Sequence, residues 1–594
     1  MKIRSEIESK YKWNLKDIYK SENDFKLDFE KYKEMSKKIE NFKGKLNDID
    51  TLYEYLKFED ELDFIGGKVG LYVFLKRDED ISNSKNVEML NMVSSFQNKV
   101  SALTSFVEPE ILKFSSKYLK QIYLDKRFEP YKIAIDDIVR SKAHILDDKT
   151  EKLLTKVGEF AGGFSDVYDN MESVDLTYDS FKYKGKVYEV TPGSYSVLRE
   201  SKIREIRKKS YENMYKAFKN FSNVIATNYI YNVKADWFFA KEHNYESCLD
   251  AEFEGRNLNK NIYYNLIKNV DNNLNLAHEY FKILKNQSKL LDFTVYDIYA
   301  PLVKYDRTFS VEESKEIVVS ALSVLGEDYI KVLKEGLESG WIDYFETKGK
   351  ATGGYKVSVY GTHPYILLNY EPNYTSLSTL AHELGHACHS YFGYKNNPIS
   401  TADENLFVAE ISSTTNELLL LKYMIKNAKN KQEKLFYLNK FVNDFYATIF
   451  TQTMYSKFEV FAHEKIENDE SLSKDMLCDY YGKLVESFHG KAVVPHEYSK
   501  YAWLRVPHFY RCYYVYKYST SYAVASFVAN KIWDNKDDML NKYKKFLSAG
   551  SKYYPKDVLK IIDVDLEKDD VYNVAFSELK WALNEIKKLT KNSH

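Results

Sequence analysis

Residues 374–392 read Tyr374-Thr375-Ser376-Leu377-Ser378-Thr379-Leu380-Ala381-His382-Glu383-Leu384-Gly385-His386-Ala387-Cys388-His389-Ser390-Tyr391-Phe392. Leu377, Leu380, Ala381, Leu384, Ala387, Cys388 and Tyr391 recur at helical spacing, and Thr375 or Ser376 is placed to cap the start. On such a helix His382 and His386 project from one face a turn apart, so both imidazoles can reach one tetrahedral zinc ion. Glu383 is rotated aside, close to water on that ion without being a ligand. The pattern is that of a metal helix with a built-in general base.

A plain helix with two part-buried histidines would show the same spacing, so a third donor has to be found. Downstream, Leu406-Phe407-Val408-Ala409-Glu410-Ile411-Ser412-Ser413-Thr414-Thr415-Asn416-Glu417-Leu418 is helix-like, with acids seven apart that face the same way. Glu410 is the expected ligand because it sits in an apolar stretch where an unpaired carboxylate is costly. Glu417 is expected to back a histidine from its outer nitrogen, with Asp403 or Glu404 as substitutes for either acid. His389, one turn beyond His386, reads as another outer partner or as a packing residue, and Cys388 as core. His463-Glu464-Lys465-Ile466-Glu467 lacks a second histidine and reads as an ordinary helix face.

Two strand-like segments precede the metal helix. Lys350-Ala351-Thr352-Gly353-Gly354 reads as a turn and Tyr355 to Tyr360 alternates as a half-buried strand does. After Gly361, the run His363-Pro364-Tyr365-Ile366-Leu367-Leu368-Asn369-Tyr370 reads as a second strand with Pro at its start, and the two strands together are where a substrate-aligning edge is sought. Farther out, residues around Leu176 to Val190 suggest a small hairpin turning at Lys184-Gly185. Elsewhere the chain is a succession of helical periods, as expected from only 22 Gly and 10 Pro in 594 residues. A soft boundary near the hairpin divides an N-terminal helical domain, 1–195, from a catalytic domain, 196–594.

Composition narrows the partners. Lys and Arg total 86 against 87 Asp and Glu, which removes the global electrostatic reason to expect nucleic acid or an anionic membrane. The four cysteines, Cys248, Cys388, Cys478 and Cys512, are far apart and form no CxxC, so neither a disulfide framework nor a thiolate zinc site is indicated. A charged N-terminus and the lack of a long apolar run point to a cytoplasmic chain.

Together these residues resemble the oligoendopeptidase F group of the thimet-oligopeptidase-like M3 zinc peptidases. The likeness is carried by Gly361-Thr362-His363-Pro364-Tyr365-Ile366-Leu367-Leu368-Asn369-Tyr370, His382-Glu383-Leu384-Gly385-His386-Ala387, Phe407-Val408-Ala409-Glu410-Ile411-Ser412-Ser413-Thr414 and Pro507-His508-Phe509-Tyr510, in that order. Lys12-Trp13-Asn14-Leu15-Lys16-Asp17-Ile18-Tyr19 extends it to the N-terminal end. The resemblance implies a mainly α, neurolysin- or thimet-like fold, two halves flanking a deep channel, and one zinc per chain held by His382, His386 and Glu410. It implies that the strand before the metal helix pairs with extended peptide, with His363, Tyr365, Leu367 and Tyr510 as substrate-binding candidates. It also assigns transition-state stabilisation to His508 and to tyrosines of the following segment. Tyr514 and Tyr518, four apart on one helical face, are chosen ahead of Tyr510.

The expected activity is endopeptidase cleavage of short oligopeptides, with Glu383 as base. A zinc carboxypeptidase or dipeptidase on the same scaffold, and a non-catalytic peptide-binding protein, are the alternatives. Cleavage position separates the first from the second, and chelator sensitivity separates both from the third.

Overall fold

Scarcity of helix breakers is realised as long helices: Ile49–Glu79 runs for 31 residues and Tyr374–Asn396 for 23. The computed structural model describes residues 2–303 and 305–591. Helices dominate them, and the strands form one two-stranded and one three-stranded sheet. Among the described residues, no helix is long and apolar enough to cross a membrane.

The expected hairpin is present as β1 (Phe181–Tyr183) and β2 (Lys186–Tyr188), paired antiparallel with Tyr183 opposite Lys186. Lys184 and Gly185 both have positive φ, 47° and 81°, the two-residue turn whose twist matches the flanking strands.

The second sheet comprises β3 (Ile342–Asp343), β4 (Tyr355–Val357) and β5 (Tyr365–Leu367), in the order β3-β5-β4. β5 is parallel to β3 and antiparallel to β4. Lys350, in the predicted turn, holds this sheet together from inside. Its buried ammonium pairs with Asp343 at 2.7 Å and donates to the carbonyl oxygens of Asp343, Phe345 and Leu368. A buried charge is tolerable only with such a full set of partners.

Packing divides the chain into two compact units that interleave along the sequence. One comprises Met1–Lys142, Arg307–Tyr423 and Val528–Val564; the other comprises Ala143–Asp306, Met424–Phe527 and Asp565–His594. In the first, Phe25, Phe29, Tyr32, Ile65, Val69, Tyr72 and Val93 from N-terminal helices form a core that also takes in Tyr365 and Leu367 of β5. The sheet is thereby anchored directly ahead of the metal helix. In the second, the helices Ser222–Glu242 and Gln452–Glu467 pack together through rings such as Tyr229 on Phe458, with centroids 5.9 Å apart.

Candidate metal centre

The Tyr374–Asn396 helix starts at Asn373, whose side chain accepts the Ser376 N–H at 3.0 Å, and stops where Asn397 becomes extended ahead of Pro398. Leu377, Leu380, Ala381, Leu384, Ala387 and Cys388 are all fully buried. Burying each large side chain contributes on the order of 1.5–3 kcal/mol, which fixes the rotation of the helix about its axis. Gly385 then decides how closely the next helix approaches. A Cβ at this position would lie 2.6 Å from Ser413 Cα and 2.7 Å from the Ser412 carbonyl oxygen, so only glycine admits the Ala409–Lys426 helix at this distance. Asn416 ties the same pair, donating to the Ala381 carbonyl and accepting the Tyr329 hydroxyl, each at 3.0 Å.

This contact brings Glu410 to the two histidines. Its Oε2 is 3.5 Å from Nε2 of His382 and 3.5 Å from Nε2 of His386. One ligand atom from each residue lies within 4.8 Å of the other two. Charge-assisted hydrogen bonds between such groups close to about 2.7–2.9 Å. Donors on a tetrahedral cation with bonds of about 2.0–2.2 Å stand roughly 3.3–3.6 Å apart. The observed separations match the second case, and two imidazoles with one carboxylate suit a divalent cation of the zinc class.

Outer contacts orient the donors. Glu417 Oε2 is 3.2 Å from His382 Nδ1, and Ser378 Oγ donates to Glu417 Oε1 at 3.2 Å. Ser413 Oγ donates to Glu410 Oε2 at 2.9 Å. Burial opposes charge on His382, yet the Glu417 carboxylate, with Glu383 and Glu410, outweighs it and holds the imidazole pKa up at about 9. For Glu410 burial is likewise overcome: His386, then His382, hold its carboxyl down at about 2. Burial pushes Glu383 above the usual carboxylate range, and the two imidazoles only partly offset it.

Other sequence candidates fall elsewhere. β5 is not an edge strand: β3 and β4 flank it, and Tyr365 and Leu367 are fully buried in the core. His363 stacks on Trp341 with ring centroids 5.2 Å apart and points Nε2 at Asp17 Oδ2, 3.2 Å away. The edges of the sheet are β3 and β4, and the burial of all three β5 residues reflects a central strand covered on both faces. His389 packs against Phe546 at 5.3 Å, and burial pushes its pKa down to about 4. Among the described residues, no hydrogen bond or ion pair joins it to the cluster, so packing is the role the structure gives it.

In the other unit, His508, Tyr514 and Tyr518 come together: Tyr518 OH is 3.4 Å from His508 Nε2, and the two tyrosine rings are 5.6 Å apart. Tyr510 turns away from them. Its hydroxyl accepts from Asn228 Nδ2 at 3.1 Å and its ring lies 4.8 Å from that of Tyr168, so it packs into the aromatic core on that side. His463 also departs from its reading as an ordinary helix face, for it is fully buried beside Cys512. Sequence reasoning passed over Ser378, Gly385, Ser413 and Asn416. The run Ser412-Ser413-Thr414-Thr415-Asn416 inside an apolar helix was the available signal, because buried polar side chains need partners.

An HExxH helix with a glutamate from the following helix, in an almost wholly helical protein, defines a metallopeptidase class, and comparison with known proteins places the chain within it. The sequence pattern of peptidase family M3 matches residues 197–578, and that of oligopeptidase F matches residues 110–178. The oligopeptidase PepF of Bacillus subtilis is 34% identical over 591 residues, covering 99% of this chain and 88% of its own length. A crystal structure from Chlamydophila abortus superposes with a TM-score of 0.93 at 29% identity, covering 99% of this chain and 100% of that one. Oligoendopeptidase-F from Enterococcus faecium superposes with a TM-score of 0.74 at 28% identity, covering 96% and 99%. The chain belongs to peptidase family M3, in its oligoendopeptidase F group, and is a metalloendopeptidase.

Proposed function

We propose that this protein hydrolyses internal peptide bonds of short, unfolded oligopeptides, with zinc held by His382, His386 and Glu410 and with Glu383 as general base. The observation that carries the reading is the placing of Glu410 Oε2 at equal 3.5 Å distances from the Nε2 atoms of two histidines on a neighbouring helix. The matched sequence patterns fall on either side of residue 195, which supports dividing the chain there into oligopeptidase F-like and M3-type portions.

Zinc, when bound, supplies a Lewis acid that polarises the scissile carbonyl and acidifies water. Glu383 takes the proton of the attacking water; its raised pKa makes the resulting acid able to hand that proton to the leaving amine. Glu417 keeps Nδ1 of His382 protonated and Nε2 free to ligate. His508, Tyr514 and Tyr518 donate hydrogen bonds to the oxyanion, a role supported by the resemblance and by their gathering into one polar group. Extended peptide pairs with β4, which among the described strands is an edge of the sheet beside β5 and precedes the metal helix.

Digestion of an unbiased oligopeptide mixture, read by mass spectrometry with chelation and zinc add-back, tests the reading. Internal cuts lost on chelation and restored by zinc are expected. Terminal trimming alone would replace endopeptidase with exopeptidase, and chelator-insensitive cleavage would remove the metal from the mechanism.

A further inference from the structure

A second imidazole takes no part in this chemistry. His463 lies on the Gln452–Glu467 helix and is fully buried, and its Nδ1 is 2.9 Å from the Glu459 carbonyl oxygen. A carbonyl only accepts, so Nδ1 carries a hydrogen and the neutral ring presents a lone pair at Nε2. Nε2 faces Asp236 Oδ2 at 3.3 Å and Cys512 Sγ at 3.5 Å. Ligand atoms of Cys248, His463 and Cys512 all lie within 4.8 Å of one another. Two cysteines 264 positions apart in sequence thus meet at one histidine.

The separations are wider than a charged pair gives. An imidazolium against a carboxylate closes to about 2.7–2.9 Å. Bonds of about 2.0–2.1 Å to nitrogen and oxygen and about 2.3 Å to sulfur, spread tetrahedrally, set nitrogen and oxygen roughly 3.3 Å apart and nitrogen and sulfur roughly 3.6 Å apart. The nitrogen–sulfur distance is the one that spacing gives, and without an ion it lets the Cys512 thiol donate to Nε2. Asp236 has Asn232 Nδ2 at 3.1 Å as its other hydrogen-bond partner, and no Lys or Arg pairs with it among the described residues.

One helix holds all the donors in place. Glu459, a turn before His463, accepts the His463 Nδ1 hydrogen through its carbonyl and the Tyr513 N–H through its carboxylate at 3.1 Å. Tyr513 sits at φ 48°, a left-handed turn that a tyrosine enters only when neighbours hold it there, and Cys512 is the residue before it. Glu467, a turn after His463, accepts the Cys248 N–H at 2.8 Å. Outer contacts of this kind are what ligands to a metal require.

We propose that Cys248, Cys512 and His463 form the three protein donors of a second and structural site for a thiophilic divalent cation of the zinc class. His463 is fully buried and Cys248 only 2% exposed, while Cys512 is partly exposed, so two of the three donors are withdrawn from solvent, as suits an ion that holds structure rather than substrate. Its work is to clamp the Cys248–Gly255 and Gln452–Glu467 helices and the turn at Cys512 within one unit.

The test uses the reduced full-length His382→Ala chain, stripped with chelator and titrated with Co2+. A near-ultraviolet thiolate-to-cobalt band saturating at one equivalent is expected, and it is lost in Cys248→Ser and in Cys512→Ser made in the same background. No band in the folded chain, or a band that survives both substitutions, overturns the proposal. Since a serine variant that fails to fold would also lose the band, alkylation of Cys512 in the unsubstituted chain is read alongside. Zinc should slow it by at least about tenfold; equal rates with and without zinc overturn the site, as does a native Cys248–Cys512 disulfide.

Discussion

The two histidine clusters differ in how they meet solvent. Around His382, side chains retain 25% exposure, with 14% at His386 and 42% at Glu410. Around His463 the ring is sealed. Both set Nε2 about 3.3–3.5 Å from a carboxylate oxygen, so that spacing is shared, while the imidazoles are part-exposed in one and buried in the other. Hydrolysis needs a vacant corner for water and peptide, whereas a clamp works best with none. Exposure, rather than the presence of histidine, separates a reactive cluster from a structural one.

Glu383→Gln tests the reactive half most directly. The substitution keeps shape and removes the proposed base, so kcat on a fluorogenic oligopeptide should fall on the order of 10³-fold while metal content stays at the parent level. A variant that keeps both activity and metal would erase the distinction between the clusters.

Proton competition gives the next effect. His382 is held protonated up to about 9 by Glu417, and proton and cation compete for Nε2. Apparent metal affinity at this centre should therefore rise about tenfold per pH unit toward that value and level off above it. An affinity flat across the neutral range would show that the Glu417 contact does not charge the ring. Glu417→Ala, compared with the parent above that pH so that only ligand orientation is read, should weaken metal binding about 10–100-fold by equilibrium dialysis.

Gly385→Ala probes the framework beneath the open cluster. Its methyl group would press on the Ser412–Ser413 backbone, costing about 1–3 kcal/mol in urea unfolding and moving Glu410 off the histidines. Smallest is Ser413→Ala, which deletes one hydrogen bond to Glu410. A loss of about 1 kcal/mol in metal binding is expected; no change would mean that the hydroxyl only caps its own helix turn.

Local periodicity carried the histidine helix, Glu383 and the two acids seven apart, because residues four and seven positions apart on a helix share a face whatever surrounds them. Tyr514 and Tyr518 do stand together with His508, but Tyr514 precedes the Tyr516–Trp533 helix, so a shared helical face is not the reason; the Lys184-Gly185 turn, by contrast, is local, with both residues at positive φ.

Tertiary structure decided the rest. Alternation marks a strand but does not say which neighbours flank it, so β5 passed for an edge until β3 paired with its far side. Tyr510 is set apart from Tyr514 by contacts with Asn228 and Tyr168, more than 280 residues away in sequence. Spacing could not bring Cys248 to Cys512 either, nor foretell that the chain would fold as interleaved units. A motif is legible when one turn of backbone supplies its geometry; a site built from distant segments exists only once packing has closed the loops between them.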